Sequence, residues 1–225
     1  MFEMNPVAVI RNDFDEKFGI PRQSGMLNEM KSVIEFAPEY RSMDAVRGME
    51  GYSHLWLIWV FDKNNPSGKK LTVRPPRLGG NTRMGVFATR SPFRPNPIGL
   101  SCVRLEEIRK NEKGEPVLIV SGADLCSGTP ILDIKPYVPY SDSHPDALSG
   151  FSVNEEGHVL AVRCDEKILS GLPEEKRATL LRLLSYDPRP AYQSDDREYG
   201  ITFAGMNIRF SVKDGTLTVL SAAPV

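Results

Sequence analysis

Two arginines, three prolines and an Asn-Pro pair crowd into the eleven residues TRSPFRPNPIG, 89–99. Each proline fixes its own φ and pushes the residue before it toward extended backbone, so Ser91, Arg94 and Asn96 are restricted as well. A loop this stiff loses little entropy when it binds, which suits Arg90, Arg94 and Asn96 to an anionic ligand. In isolation the loop also reads as a rigid connector with solvated arginines. Three further stretches share its character. PRQSG (21–25) sets Arg22 and Gln23 between Pro21 and Gly25, and DPRPAY (187–192) locks Arg189 between two prolines. SGTPILDIKPYVPYSD (127–142) carries Asp133, Lys135, Tyr137, Tyr140 and Asp142 with three prolines, the first of them in Gly-Thr-Pro. Rigid backbone combined with polar side chains is where scaffolds place function. Asp133 and Lys135, two apart on a strand-like run, also read as an ordinary solvent-facing ion pair.

Charge narrows the ligand. The net charge of −1 conceals an interval from Lys63 to Arg104 that holds nine basic residues and no Asp or Glu. Gly and Pro break the arginines into short loops, VRPPRLGGNTR and TRSPFRP, a pattern unlike a charged helix face. Such a local excess draws in a polyanion even on a nearly neutral protein. Cys102, Cys126 and Cys164 are far apart, and His54, His144 and His158 show no metal-ligand spacing with them, so neither a disulfide framework nor a zinc site is expected. The apolar run 55–61 is too short to span a bilayer and the N-terminus shows no leader pattern; the protein reads as cytosolic.

The elements that must hold these loops are mostly strands. Apolar or alternating runs recur at 7–11, 55–61, 85–89, 99–105, 117–123 and 131–134, separated by turn signals at Asn64-Asn65-Pro66, Gly79-Gly80-Asn81 and Asn111–Gly114. Strands at this spacing without alternating helices predict an antiparallel barrel or sandwich over residues 1–145. From 146 to 225 the texture changes to a small α+β unit. VNEEGHVLAVR suggests a strand, and Pro173-Glu174-Glu175 opens a helix with Leu180, Leu181, Leu183 and Leu184 on one side. NIRFSVKDGTLTVL forms a hairpin turning at Asp214-Gly215.

GYSHLWLIWVF, TVRPPRLGGNTRMGVFATRSPFRPNPIGLS, SGTPILDIKPYVPYSD and DPRPAY, in that order, resemble the TsaA-type (TrmO) family of tRNA methyltransferases. The resemblance runs from about Pro6 to Pro145, with DPRPAY carrying it further. It implies a single antiparallel β-barrel that binds S-adenosylmethionine, a homodimer, and methylation of N6 of the threonylcarbamoyl-adenosine beside the tRNA anticodon. It also implies a cofactor site drawn from Pro21, Arg22, Gln23, Asp62, Lys63, Arg90, Leu100, Ser127, Gly128, Thr129 and Pro130. Arg94, Asn96 and Arg189 are then the tRNA-facing residues, and Arg22 or Arg90 pairs with the methionine carboxylate.

The residues agree with that reading in their own terms. No strand is followed by a Gly-x-Gly-x-x-Gly turn and helix, so a conventional dinucleotide-type cofactor site is disfavoured. Acid-free arginine loops suit RNA phosphates, and Phe93, Tyr137 and Tyr140 are available to stack unpaired bases. Methylation at N6 requires its N–H to be deprotonated or polarised, because the lone pair is delocalised. Asp133 is the candidate base, with Lys135 and Tyr137 positioning substrate. Two positions depart from the family pattern. Ser127 stands where an acid usually precedes Gly-Thr-Pro, and Asp62 stands where a His commonly follows the apolar strand. A compensated change, in which Asp62 takes over hydrogen bonds to the cofactor ribose, is one reading; a turn-capping Asp62 is the other. The rival from another class is a non-catalytic RNA-binding barrel, which would give no calorimetric response to S-adenosylmethionine. A hydrolase built on His54 or a cysteine lacks the required partner spacing.

Overall fold

Alternation decides most of the architecture. In β3 (His54–Val60) every second side chain, Leu55, Leu57 and Trp59, is buried, while His54, Trp56, Ile58 and Val60 face outward. The same period of two governs β1 (Ala8–Arg11), β2 (Lys31–Phe36) and the first half of β6 (Ile98–Lys110). With β7 (Pro116–Ser121) and β8 (Pro130–Pro136) these strands close a barrel in the order β1-β2-β7-β6-β3-β8, antiparallel at every seam. Ile10, Ile34, Leu55, Leu57, Val103, Leu118, Val120 and Ile131 fill it. Each such aliphatic side chain contributes about 1.5–3 kcal/mol when fully buried.

The computed structural model describes residues 3–64, 71–152, 159–189 and 197–225. Asn65, Pro66, Lys69, Lys70, the VNEEGH part of the suggested strand with His158, and the Pro190-Ala191-Tyr192 end of DPRPAY lie outside the described residues.

A second layer covers the C-terminal part. The strands β9 (Ala161–Arg163), β10 (Glu198–Phe203), β11 (Met206–Lys213) and β12 (Thr216–Pro224) form a sheet in the order β10-β11-β12-β9, with β9 parallel to β12. The helix α1 (Pro139–Asp142) is a single turn after the barrel, and α2 (Glu174–Ser185) is the long one. α2 buries Leu180, Leu183 and Leu184 against the sheet with Glu174 and Glu175 in its first turn, where the helix dipole favours acids. The predicted hairpin turns at Asp214-Gly215, both at positive φ.

Three findings differ from the expectations drawn from sequence. GVFAT is not a strand: β4 (Thr72–Val73) pairs with β5 (Met84–Gly85), and Val86–Ala88 is then a 3-10 turn closed by Thr89 N–H on Val86 O. The local hydrogen bond takes the acceptor that a ladder would need. β2 is absent from the expected strands, although it supplies a full barrel stave. The connection 12–30 between β1 and β2 packs on the second core, where Phe14, Leu27 and Met30 are buried with Phe203, Phe210 and Leu184. Lys176 Nζ to Asp13 at 2.7 Å and Ala204 N–H to Asp13 O at 3.1 Å fasten it there.

Candidate functional site

Antiparallel closure brings the ends of β1, β3 and β7 and the starts of β2, β6 and β8 to one rim of the barrel. PRQSG, the Pro-rich loop and the Ser127–Thr129 start of SGTPILDIKPYVPYSD lie in the loops of that rim, whereas DPRPAY follows α2 in the C-terminal unit. Pro21, Arg22 and Gln23 lie between β1 and β2, Asp62 and Lys63 follow β3, Arg90, Arg94 and Asn96 precede β6, and Ser127, Gly128 and Thr129 lead into Pro130 of β8.

Hydrogen bonds join these loops pairwise. Lys63 Nζ donates to Asp15 O at 3.0 Å and Ser127 O at 3.1 Å, so the loop after β3 is tied to both the 12–30 connection and the Gly-Thr-Pro loop. Lys17 Nζ reaches back to Lys63 O and to Asn64 Oδ1. Ser127 N–H donates to Phe14 O at 2.7 Å. Arg90 NH1 donates to Gln23 Oε1 at 2.6 Å, linking the Pro-rich loop to PRQSG. Arg22 NH2 donates to Asp187 O at 3.1 Å and Arg189 O at 3.0 Å, which links PRQSG to DPRPAY.

The Pro-rich loop is braced from within. Thr89 Oγ1 accepts Ser91 N–H, Ser91 Oγ accepts Phe93 N–H, and Arg94 NH1 donates to Thr89 O at 3.0 Å. Arg94 is therefore spent partly on shaping the loop, while Arg90 and Asn96 are exposed. The loop ends where Phe61 N–H meets Pro97 O at 2.8 Å, and Gly99 then lies directly under the Trp59 ring. A Cβ on Gly99 would come within 2.6 Å of three atoms of that ring, so only glycine fits.

Leu100 is 55% exposed on the outer wall. It pairs with Ile58, which pairs on its other side with Asp133, so the three form one cross-strand row. Adjacent strands are about 4.8 Å apart, which puts Leu100 and Asp133 roughly 10 Å from each other. Lys135 opposes Trp56 one step further from the rim, and Tyr137 continues the ladder through His54 O. Asp133 and Lys135 pair at 2.9 Å and both are about half exposed. Tyr137 packs on Trp56 and His54, whereas Tyr140 is 93% exposed and Phe93 and Phe87 also face solvent. The catalytic candidates thus occupy the outer wall and the cofactor candidates the rim, meeting at the Leu100–Asp133 row.

Arg189 is placed differently from its expected presentation. Its Nε and NH2 each sit 2.9 Å from an Asp187 carboxylate oxygen, and its side chain is only 12% exposed. Asp187 is itself at positive φ, a conformation this pairing helps to hold.

Burial pushes the Cys102 and Cys126 thiols up, and neighbouring Asp142 acts in the same direction on Cys102. Both stay protonated near neutral pH and are poor nucleophiles. Among the described residues no group of three or more His, Cys, Asp and Glu is placed to hold a metal ion. Asp124, Ser101, Trp59 and Ser24 lie beneath the rim and escape a reading of the sequence, being single residues without any spacing signal. Asp142 braces the wall: it accepts the Trp56 indole N–H at 3.0 Å and Val138 N–H at 2.8 Å, and these bonds lower its pKa.

Comparison with known proteins decides the lineage. The family model for the tRNA-methyltransferase O N-terminal domain matches residues 9–143, and that for the TrmO C-terminal domain matches 159–225. The chain belongs to the TrmO family. The tRNA (adenine(37)-N6)-methyltransferase of Escherichia coli (strain K12) is 40% identical over 232 residues, covering 99% of this chain and 98% of the relative. A putative S-adenosylmethionine-dependent methyltransferase, RcsF, of Pseudomonas aeruginosa is 40% identical over 92% of this chain and 91% of its own. A crystal structure of TrmO superposes with a TM-score of 0.79 at 34% identity, covering 99% of both chains. Membership of the TrmO family rests on both halves of the chain, barrel and C-terminal sheet alike.

The rim presents exposed guanidinium groups at Arg22 and Arg90, which can pair with a carboxylate, an exposed carboxylate at Asp62, which can accept from vicinal hydroxyls, and an exposed apolar side chain at Leu100. Gly128, at positive φ, leaves its side open: a Cβ there would meet only Arg11 NH1, at 3.9 Å.

Proposed function

We propose that this protein is an S-adenosylmethionine-dependent methyltransferase acting on N6 of the adenine beside the anticodon of tRNA, with that adenine carrying a threonylcarbamoyl group. The observation that carries the reading is the assembly of PRQSG, Asp62-Lys63, the Pro-rich loop and Ser127–Pro130 on one barrel rim, in a chain that matches a tRNA (adenine(37)-N6)-methyltransferase from end to end.

The division of labour follows the two layers. Residues 1–145 form the cofactor-binding barrel. Residues 146–225, the C-terminal unit, back the PRQSG loop through Asp187 and Arg189. Pro21–Gln23, Asp62, Lys63, Arg90, Leu100 and Ser127–Pro130 hold S-adenosylmethionine, whose sulfonium makes its methyl carbon electrophilic. Arg90 and Arg22 take the carboxylate. Stiff prolines on three sides mean that little reorganises on binding. Asp133 receives the N6 proton; it must first leave Lys135, and an exposed pair of this kind contributes under about 1 kcal/mol. Lys135 and Tyr137 then orient the substrate, Arg94 and Asn96 serve its backbone, Arg189 supports PRQSG through Asp187 and Arg22, and Phe93 and Tyr140 offer faces for stacking.

The outer wall supports a homodimer. Ile98, Leu100, Ile58, Val60 and Trp56 form an apolar band beside Asp133, and a second copy seated on it would exclude water from the Leu100–Asp133 row. No helix among the described residues is long and apolar enough to cross a membrane, and we assign the enzyme to the cytoplasm with its tRNA. Calorimetry with S-adenosylmethionine tests the reading first. Saturable binding at micromolar concentration is expected; absence of heat would favour an RNA-binding barrel without chemistry.

A further inference from the structure

A carboxylate with no role in the scheme above lies beneath the cofactor loop. Asp124 follows β7 between the buried residues Ala123 and Leu125. Its Oδ1 accepts the Ser101 hydroxyl at 2.5 Å, and Ser101 Oγ accepts the Trp59 indole N–H at 2.9 Å. Ser101 is followed by Cys102, whose N–H meets PRQSG at Ser24. Trp59 and Ser101 are the neutral neighbours of Asp124 on β3 and β6, the Ser24 amide lies on its PRQSG side, and Arg90 is the charged group whose field reaches it.

These partners are the supports of the rim. Ser24 Oγ accepts Cys102 N–H at 3.2 Å, Gly25 N–H donates to Gly122 O at 2.8 Å, and Arg90 grips Gln23 at 2.6 Å. Gly122 approaches so closely that a Cβ would lie 2.8 Å from Asn28 Oδ1 and 3.3 Å from the Gly25 backbone. PRQSG is thus pressed onto a polar floor whose one charge is Asp124. Burying a carboxylate is unfavourable, and desolvation raises its pKa despite the hydrogen bonds and Arg90. A fold needs no ionisable group at such a place, since an apolar or neutral replacement is often as stable.

We infer that Asp124 is a positioning residue for the methyl donor: through Ser101, next to the Cys102 amide that holds Ser24, it supports the Pro21–Gly25 loop from below, and through its charge it holds Arg90 in the orientation in which Arg90 and Gln23 meet the cofactor. The inference rests on the cofactor assignment proposed above. Asp124→Asn keeps the size and the bond from Ser101, but removes the charge opposite Arg90 and turns one acceptor into a donor.

Calorimetry with S-adenosylmethionine on the full chain separates the possibilities. Asp124→Asn is expected to raise the dissociation constant about tenfold, the usual weight of one lost charge-assisted contact. The melting temperature should move by only a few degrees and kcat at saturating cofactor should be largely kept, because relief of the burial penalty offsets the lost bond. Ser101→Ala, which removes a single donor, should weaken binding about threefold. A second readout is pH. A carboxylate whose folded pKa is raised takes up its proton before ordinary carboxylates do as pH falls, so parental affinity should begin to decline at a higher pH than an ordinary carboxylate would dictate, with Asp124→Asn flat through that decline. If the parent binds no S-adenosylmethionine, the cofactor assignment itself fails. If the parent binds and Asp124→Asn binds within twofold of it, Asp124 has no positioning role. Should Asp124→Asn not fold, unchanged affinity in Ser101→Ala together with pH-independent parental affinity overturns the inference equally.

Discussion

Replacing Gly99 by alanine tests how the Pro-rich loop is registered on the barrel. Gly99 opposes Trp59 across the β3–β6 seam, and the added methyl would stand within 2.6 Å of Cε2, Cζ2 and Cδ2 of the indole. The ring cannot withdraw freely. It is 7% exposed, packs edge-on against Phe61 at 4.3 Å between centroids, and is held by Ser101 at 2.9 Å. Overpacking of this kind costs about 1–3 kcal/mol, and an indole N–H pulled off its buried acceptor costs about 1–3 kcal/mol more. The expected loss is therefore about 2–6 kcal/mol, or about 4–24 °C in melting temperature for a chain of this size. Differential scanning calorimetry reads the stability, and near-ultraviolet circular dichroism reports whether an indole has changed environment. Displacement of Trp59 also releases Ser101 from its place beside Asp124, so affinity for S-adenosylmethionine should fall with stability. A Gly99→Ala protein that melts within about 2 °C of the parent would refute the close-packing argument.

Three further outcomes follow from the same geometry. Arg189→Ala should weaken tRNA use and also raise the S-adenosylmethionine dissociation constant several-fold, because Arg189 pins Asp187, and the carbonyls of both residues anchor Arg22; an unchanged cofactor constant in calorimetry would detach DPRPAY from the rim. Asp133→Asn should reduce kcat at saturating cofactor by about 100-fold or more if its carboxylate takes the N6 proton, and near-parental turnover would remove it from that role. Asp62→Ala should weaken S-adenosylmethionine binding about tenfold, with Ser127→Asp restoring part of it, if the exposed Asp62 carboxylate serves the ribose; a drop in melting temperature with unchanged binding would leave Asp62 as a turn residue.

The barrel is legible in the sequence wherever burial is one-sided, because the period of two in 55–61 and 99–105 is the burial pattern itself. The rim is legible through proline, whose backbone effects are local and can be read without coordinates. What stays hidden depends on distance along the chain. Phe14, Leu27 and Met30 look like scattered apolar residues in a loop until the C-terminal sheet arrives to cover them. GVFAT has strand composition, yet Thr89 closes it into a turn by a hydrogen bond three residues long. Arg189 reads as presented by its prolines, while the acid two residues earlier captures it. Asp124 gives no signal at all, since its partners come from three other parts of the chain.

Methyl transfer itself is read by mass spectrometry of nucleosides from tRNA incubated with the purified protein, with and without S-adenosylmethionine. The substrate should be tRNA that already carries threonylcarbamoyl-adenosine beside the anticodon. This nucleoside is expected to gain one methyl on N6, only when S-adenosylmethionine is present and not with the Asp133→Asn protein. An unmodified threonylcarbamoyl-adenosine peak after incubation with protein shown to bind the cofactor would contradict the proposed reaction.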